Sequence, residues 1–106
     1  MKKIFYSVAL NPSIDISFSL PKLVFDDINR IESKRIDPGG KGINVAKFLY
    51  ILGEKVIPIG IFGGVNGKIL ISLIKKTGLK NIKIFSVREE TREIFNFFFP
   101  TAGFSG

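Results

Sequence analysis

Gly39-Gly40-Lys41-Gly42 places three glycines in four residues between a strand-like segment and a helix-like one. No other stretch constrains the fold as strongly. Glycine adopts backbone conformations barred to other residues, so this turn can aim consecutive N–H groups outward at the start of a helix. There the helix dipole adds partial positive charge, and anions bind. Lys41 puts a full charge in the middle of the cradle, and Asn44 puts a side-chain amide one turn in. The spacing is not the G-x-x-x-x-G-K-[ST] of a phosphate-binding P-loop, nor does it fit G-x-G-x-x-G. Residue type alone leaves two readings open, an anion or polyol site and a tight connection that uses glycine for geometry.

Around this turn the chain alternates strand and helix signals. Ile4 to Leu10 is a continuous apolar run stopped by Asn11-Pro12, as in a buried parallel strand. Ile16 to Leu20 alternates and ends at Pro21. Ile28 to Ile36 reads as a polar, exposed strand. A helix is predicted over Ile43 to Leu52, with Val45, Ala46, Leu49 and Leu52 on one face and Gly53 as its stop. Val56 to Phe62 predicts a strand, although Pro58 removes a ladder donor and favours an edge. A second helix is expected from an Asn66 cap to about Thr77, with Ile69, Leu70, Leu73 and Ile74 facing inward and Gly78 ending it. Strands at Ile82 to Val87 and Ile94 to Phe99 complete a βββ-turn-αβαββ order, which predicts an α/β sheet with extra strands standing off it.

Composition narrows the chemistry. At 106 residues and 45% hydrophobic content the chain supports one modest domain with a core. Zero Cys and zero His remove disulfides, thiolates and the commonest general base and metal ligand. The net charge of +7 comes from 16 basic residues scattered from Lys2 to Arg92, without the concentrated stripe of a nucleic-acid surface. No apolar run approaches the ~18 residues that span a bilayer, and Asn11, Pro12 and Asp15 break the start too early for a signal peptide. The expectation is a soluble cytoplasmic protein with no nucleic-acid or membrane partner.

Asn11-Pro12-Ser13-Ile14-Asp15 is the second constellation, following the first strand where ligands bind in open α/β sheets. A carboxylate there can accept hydrogen bonds from adjacent sugar hydroxyls. The plainer reading is an Asx-type turn with Asp15 solvated.

Taken in order, Asn-Pro-Ser-Ile-Asp, the Asn29-Arg30 pair and Pro38-Gly-Gly-Lys-Gly-Ile-Asn-Val-Ala46 closely resemble the start of the PfkB (ribokinase-like) carbohydrate kinases. The similarity is greatest to the 1-phosphofructokinase and tagatose-6-phosphate kinase branch. Leu52-Gly53, Gly60-Ile61-Phe62-Gly63-Gly64, Gly67 and Thr91-Arg92 extend it through about residue 92. The resemblance implies a ribokinase-like parallel sheet flanked by helices, with a small β lid of strands at about 16–36 and 82–99. Residues 1–106 would then be an N-terminal fragment of one kinase domain. It implies substrate binding by Asp15, Gly39, Gly40, Lys41, Asn44 and Arg92, with Lys41 near the substrate phosphate and Arg30 assisting from the lid. It also implies ATP-dependent phosphorylation of a hexose phosphate with Mg²⁺, and pairing of lid strands in a homodimer.

The departures are as informative. The family's catalytic aspartate lies in a distant Gly-Ala-Gly-Asp motif, whereas Thr101-Ala-Gly-Phe-Ser-Gly106 carries Phe104 at the aspartate position and occurs far too early. Asn96 follows Thr91-Arg92 later than the family pattern has it. The expectation is therefore a substrate-binding fragment, inactive alone and without a catalytic residue, or alternatively a non-catalytic sugar-phosphate-binding or interaction module.

Overall fold

The structure is a computed structural model and describes residues 3–21, 25, 28 and 30–99. Its elements run β1 (Ile4–Ala9), β2 (Ser13–Ser19), β3 (Ser33–Gly39), α1 (Lys41–Ile51), β4 (Lys55–Gly63), α2 (Gly64–Lys76), β5 (Lys83–Val87) and β6 (Arg92–Phe98). The predicted order of strands and helices is the observed one. They form two three-stranded sheets, β1-β4-β5 and β3-β2-β6.

The first sheet is wholly parallel, with Ala9 opposite Gly60 and Gly60 opposite Ile84. Parallel neighbours need crossovers, which α1 and α2 supply. Pro58 sits in the middle strand, yet β5 pairing begins only at Ile59, so at Pro58 the strand has β1 alone beside it. That local edge accommodates the missing donor. Both helices cover the same face, where Ile43, Ala46, Leu70 and Ile74 bury against Ala9, Val56 and Phe62. Within α1 the buried residues are Ile43 and Ala46, while Val45 and Leu52 are exposed, a rotation of the predicted face. Helical spacing alone fits either stripe, since Phe48, Ile51 and Leu52 make the outer side apolar too. Gly53 and Gly78 follow the helices with φ of 85° and 106°, as their predicted stop positions require.

The second sheet is mixed, β2 pairing antiparallel with β3 and parallel with β6. Ile14 and Ile16 point from β2 into the common core. Further along the same face, Phe18 stacks on Phe95 and Phe97 at centroid distances of 6.2 and 5.5 Å.

Four expectations are corrected here. The exposed strand lies at Ser33–Gly39 rather than Ile28 to Ile36, because pairing with β2 sets its bounds from Ser19↔Ser33 to Ser13↔Gly39. Arg30 is thus exposed and outside any strand, while Asn29 lies outside the described residues. Asp15 is in β2 and not in a turn; the Ser-Ile-Asp-Ile-Ser alternation carries the strand back to Ser13. Of residues 82–99 only β6 joins the second sheet, since β5 completes a β4–α2–β5 unit in the first. The cap of α2 is Gly63, with Asn66 inside the first turn.

No helix among the described residues is long and apolar enough to cross a membrane. Opposite the helices, the first sheet presents Tyr6, Val8, Ile57, Ile59, Ile61, Phe85 and Val87, and no described element covers them. Phe85 is 62% exposed. Phe85→Lys is expected to keep the thermal midpoint close to wild type, because exposed substitutions shift stability by about 0.5 kcal/mol or less. The same change should lower self-association in light scattering. A large stability loss would mean that the face is packed.

Candidate functional site

The predicted turn is shorter than its glycines suggested. Pro38 and Gly39 end β3, and Lys41 and Gly42 already belong to α1, leaving Gly40 as the sole residue between. Gly40 has φ 103° and ψ 149°, which an L side chain rarely adopts, and an added Cβ would also lie 3.0 Å from Pro12 Cα. Pro38 tolerates its strand position because β3 is an edge.

Gly42 brings the first turn of α1 onto β1. A Cβ there would overlap the Val8 carbonyl and Ala9 Cα, so no side chain fits without displacement. Ser7 Oγ donates to Gly42 O at 2.6 Å and fastens the helix start to the strand. Lys47 Nζ donates to Pro38 O at 2.9 Å from the next turn. The first turn of α1 contains no acidic residue and no side-chain cap, so its amide dipoles are not neutralised locally.

Beside this helix start lies a cleft of about 350 Å³, lined by Val8, Ala9, Leu10, Asn11, Lys41, Gly42 and Arg92. Lys41 and Arg92 are both exposed. Arg92 Nη2 donates to Asn11 O at 3.0 Å, which aims the guanidinium across the end of β1. The cleft is therefore bounded by two cations and a helix N-terminus, an arrangement that favours an anion.

Asp15 stands next to it on the second sheet. Register places Gly39, Ser13 and Arg92 in one row, and Asp37, Asp15 and Ile94 in the next row of the same face. Ser13 Oγ donates to Asp15 Oδ1 at 2.6 Å. A Cβ on Gly39 would overlap the Asp15 carboxylate, so the absence of a side chain makes room for it. Asp15 is half-buried, whereas Asp37 pairs with Arg35 at 2.8 Å at the strand edge.

The structure thus gathers Lys41 and Arg92 at one cleft, with Asp15 and Gly39 in contact on the adjoining face. Gly40 is the connecting backbone. Asn44 is exposed, and its N–H donates to Gly40 O as the first bond of the helix; it does not line the cleft. Arg30 does not line it either. Sequence reading passed over Ser13 as a partner of Asp15, although its place in Asn-Pro-Ser-Ile-Asp was visible. It also passed over Glu90, whose signal was a carboxylate directly before Thr91-Arg92. Among the described residues no group of three acidic side chains is placed to hold a metal ion. Residues 101–106, with Phe104, lie outside the described residues.

Solved structures resemble this arrangement over nearly the whole chain. Phosphofructokinase-2 of Escherichia coli, solved in complex with fructose 6-phosphate, matches with a TM-score of 0.85 and 27% identity, over 97% of this chain and 33% of that one. A possible 1-phosphofructokinase of Thermotoga maritima matches with a TM-score of 0.80 and 32% identity, over 90% of this chain and 31% of that one. Ribokinase of Thermotoga maritima shares the fold, with a TM-score of 0.68 and 21% identity, over 96% of this chain and 34% of that one. The chain spans about a third of the length of each. No protein-family profile matches it.

Gly42→Ala is expected to destabilise the protein by about 1–3 kcal/mol, the usual cost of overpacking a close contact. Chemical denaturation measures it. Wild-type stability for the variant would show that α1 does not seat on β1 as described.

Proposed function

From a chain built as the N-terminal portion of the PfkB (ribokinase-like) carbohydrate kinases, we propose the acceptor-binding part of a hexose-phosphate kinase. The observation that carries this reading is the convergence of Lys41, Arg92 and the α1 N-terminus on one cleft, with Asp15 on the adjoining face. A sugar phosphate has matching chemistry. Its phosphate would lie against the amides of the α1 start between Lys41 and Arg92. Its hydroxyls would donate to Asp15, whose second-sheet position leaves an acceptor-only carboxylate beside the cleft. Gly39 would serve the site by making room for the Asp15 carboxylate and Gly40 by the bend that starts α1, whereas Asn44 stands outside the cleft.

The reaction implied by the resemblance is phosphoryl transfer from ATP with Mg²⁺, which depends on positioning and charge stabilisation. The donor and its metal supply the phosphoryl group and neutralise its charge. The role assigned to the residues of this cleft is to hold and orient the acceptor. No catalytic residue is assigned. Purified chain supplied with fructose 6-phosphate and MgATP is expected to bind sugar without releasing ADP. Sugar-dependent ADP release would contradict the restriction to acceptor binding.

Isothermal titration with fructose 6-phosphate, fructose 1-phosphate and tagatose 6-phosphate tests the reading directly. Lys41→Ala is expected to weaken binding by about 10- to 100-fold, the worth of a charge-assisted contact to phosphate. An unchanged affinity would remove Lys41 from the phosphate site.

We also propose that the second sheet acts as the lid and pairs two copies. Phe95 and Phe97 are each 53% exposed on the face that continues the core. Exposed aromatic surface of this kind marks interaction sites. Sedimentation is expected to show a dimer that Phe95→Glu converts to monomer; a monomeric wild type at tens of micromolar, on the order of ordinary weak association, would refute the pairing.

A further inference from the structure

The segment between β5 and β6 is gripped by the start of α2, which holds residues on both sides of Arg92. Thr91 N–H donates to Gly63 O at 3.0 Å, and Gly63 N–H donates to Thr91 Oγ1 at 3.0 Å. Thr91 is buried, so this reciprocal pair is shielded from water. Asn66 Nδ2 donates to Thr91 O at 3.1 Å and to Glu93 Oε1 at 3.3 Å. Arg92 therefore lies between two residues that Asn66 holds.

Glu90 supplies the other half of the grip. Its Oε1 accepts from Asn66 N–H at 2.9 Å and its Oε2 from Val65 N–H at 3.2 Å. Helix α2 has no side-chain cap at Gly63 and no acidic residue in its first turn, so the carboxylate that serves its N-terminus arrives from another part of the chain. Gly64 has φ 66°, and a Cβ there would overlap the Glu90 carboxylate. A Cβ on Gly67 would lie 3.2 Å from Thr91 Oγ1. The spacing Gly63-Gly64-x-x-Gly67 thus clears a seat for residues 90 and 91. A hollow of about 140 Å³, with Glu90, Thr91 and Arg92 in its lining, lies beside this seat and shares Leu10, Asn11 and Arg92 with the Lys41 cleft.

We propose that Glu90 is a positioning residue. Its carboxylate, held at the N-terminus of α2, fixes residues 89–91 so that Arg92 stands across the cleft from Lys41. The ligand role of Arg92 rests on the acceptor-binding reading above; the positional role of Glu90 does not. The mechanism is electrostatic and geometric together, because the two α2 amides and the helix dipole both favour a negative charge at that point.

The experiment compares wild type, Glu90→Gln, Arg92→Ala and the double variant by amide hydrogen exchange and by titration with fructose 6-phosphate. Glu90→Gln keeps shape but loses the charge and one acceptor. It is expected to speed exchange at the Thr91 and Arg92 amides, leave the Leu70 and Ile74 amides at the wild-type rate, and weaken sugar-phosphate binding about fivefold, within the range of coupled neighbours. In the Arg92→Ala background it should weaken binding no further. Unchanged exchange at Thr91 and Arg92, or an equal loss of affinity with and without Arg92, would overturn the proposal. If wild type itself does not bind the sugar phosphate, the functional reading fails, and the exchange data alone decide the positional role. Should Glu90→Gln not fold, Glu90→Asp keeps the charge with a shorter reach and is expected to loosen the same two amides; unchanged exchange there would overturn the proposal equally.

Discussion

The approach of α1 to β1 at Gly42 is the contact on which the site depends. A helix can begin hard against a strand only where its first turn lacks a side chain, and Gly42 meets the Val8 carbonyl and Ala9 with nothing between. Ser7 holds that geometry by its hydrogen bond to Gly42 O. Because the helix starts there, its unpaired amides open at the carboxyl end of β1, where ligands bind in open parallel sheets. Lys41 then needs no special placement; it is the first residue of a helix whose origin is already fixed.

A second glycine cluster repeats the device one unit later. The β4–α2 junction at Gly63-Gly64 is as tight as the β3–α1 junction, but the space it leaves is filled by Glu90 and Thr91. A cleft borders each helix start, but at α2 the Val65 and Asn66 amides are already paired with Glu90. The proposed ligand site at α1 rests on this difference. The two junctions are mechanically joined, since the segment seated on α2 continues directly into Arg92 and β6, and β6 pairs with the strand carrying Asp15.

Much of this architecture was legible in the sequence, for identifiable reasons. Apolar runs at Ile4 to Leu10 and Val56 to Phe62 bounded by Pro, Asn and Gly mark strands, although β1 is exposed at Ile4, Phe5, Tyr6 and Val8 where a buried strand was expected, and the glycines at 53 and 78 end the helices where expected. The Gly-Gly-Lys-Gly stretch located the candidate site. Pairing was less legible, because register is decided between strands and not within them. The edge of β3 moved to Ser33–Gly39 since β2 dictates its partners, and Arg35-Ile36-Asp37-Pro38 carries little strand signal of its own. β6 begins at Arg92, two residues before its apolar run, because Ser13 pairs there. The position of Asp15 was available in the alternation of Ser13, Asp15 and Ser17 against Ile14, Ile16 and Phe18, which the proline beside it obscured. Glu90 capping a helix 24 residues earlier in the chain is a tertiary contact that no local pattern announces.

The first sheet buries one face only among the described residues, and its bare side carries Val8 and Phe85. At the candidate site, by contrast, cations and helix amides meet a carboxylate of the second sheet, set by register and close contact. The central claim is that the α1 start receives the phosphate of a sugar phosphate. The most direct measurement is a titration of isotope-labelled chain with fructose 6-phosphate, followed through backbone amide chemical shifts. The account predicts saturable shifts at Lys41, Gly42 and Ile43, with Asn11 and Arg92 moving in step and the α2 amides at Val65 and Asn66 staying still. Shifts confined to the α2 start or to the bare sheet face, with Lys41 to Ile43 unmoved, would contradict it.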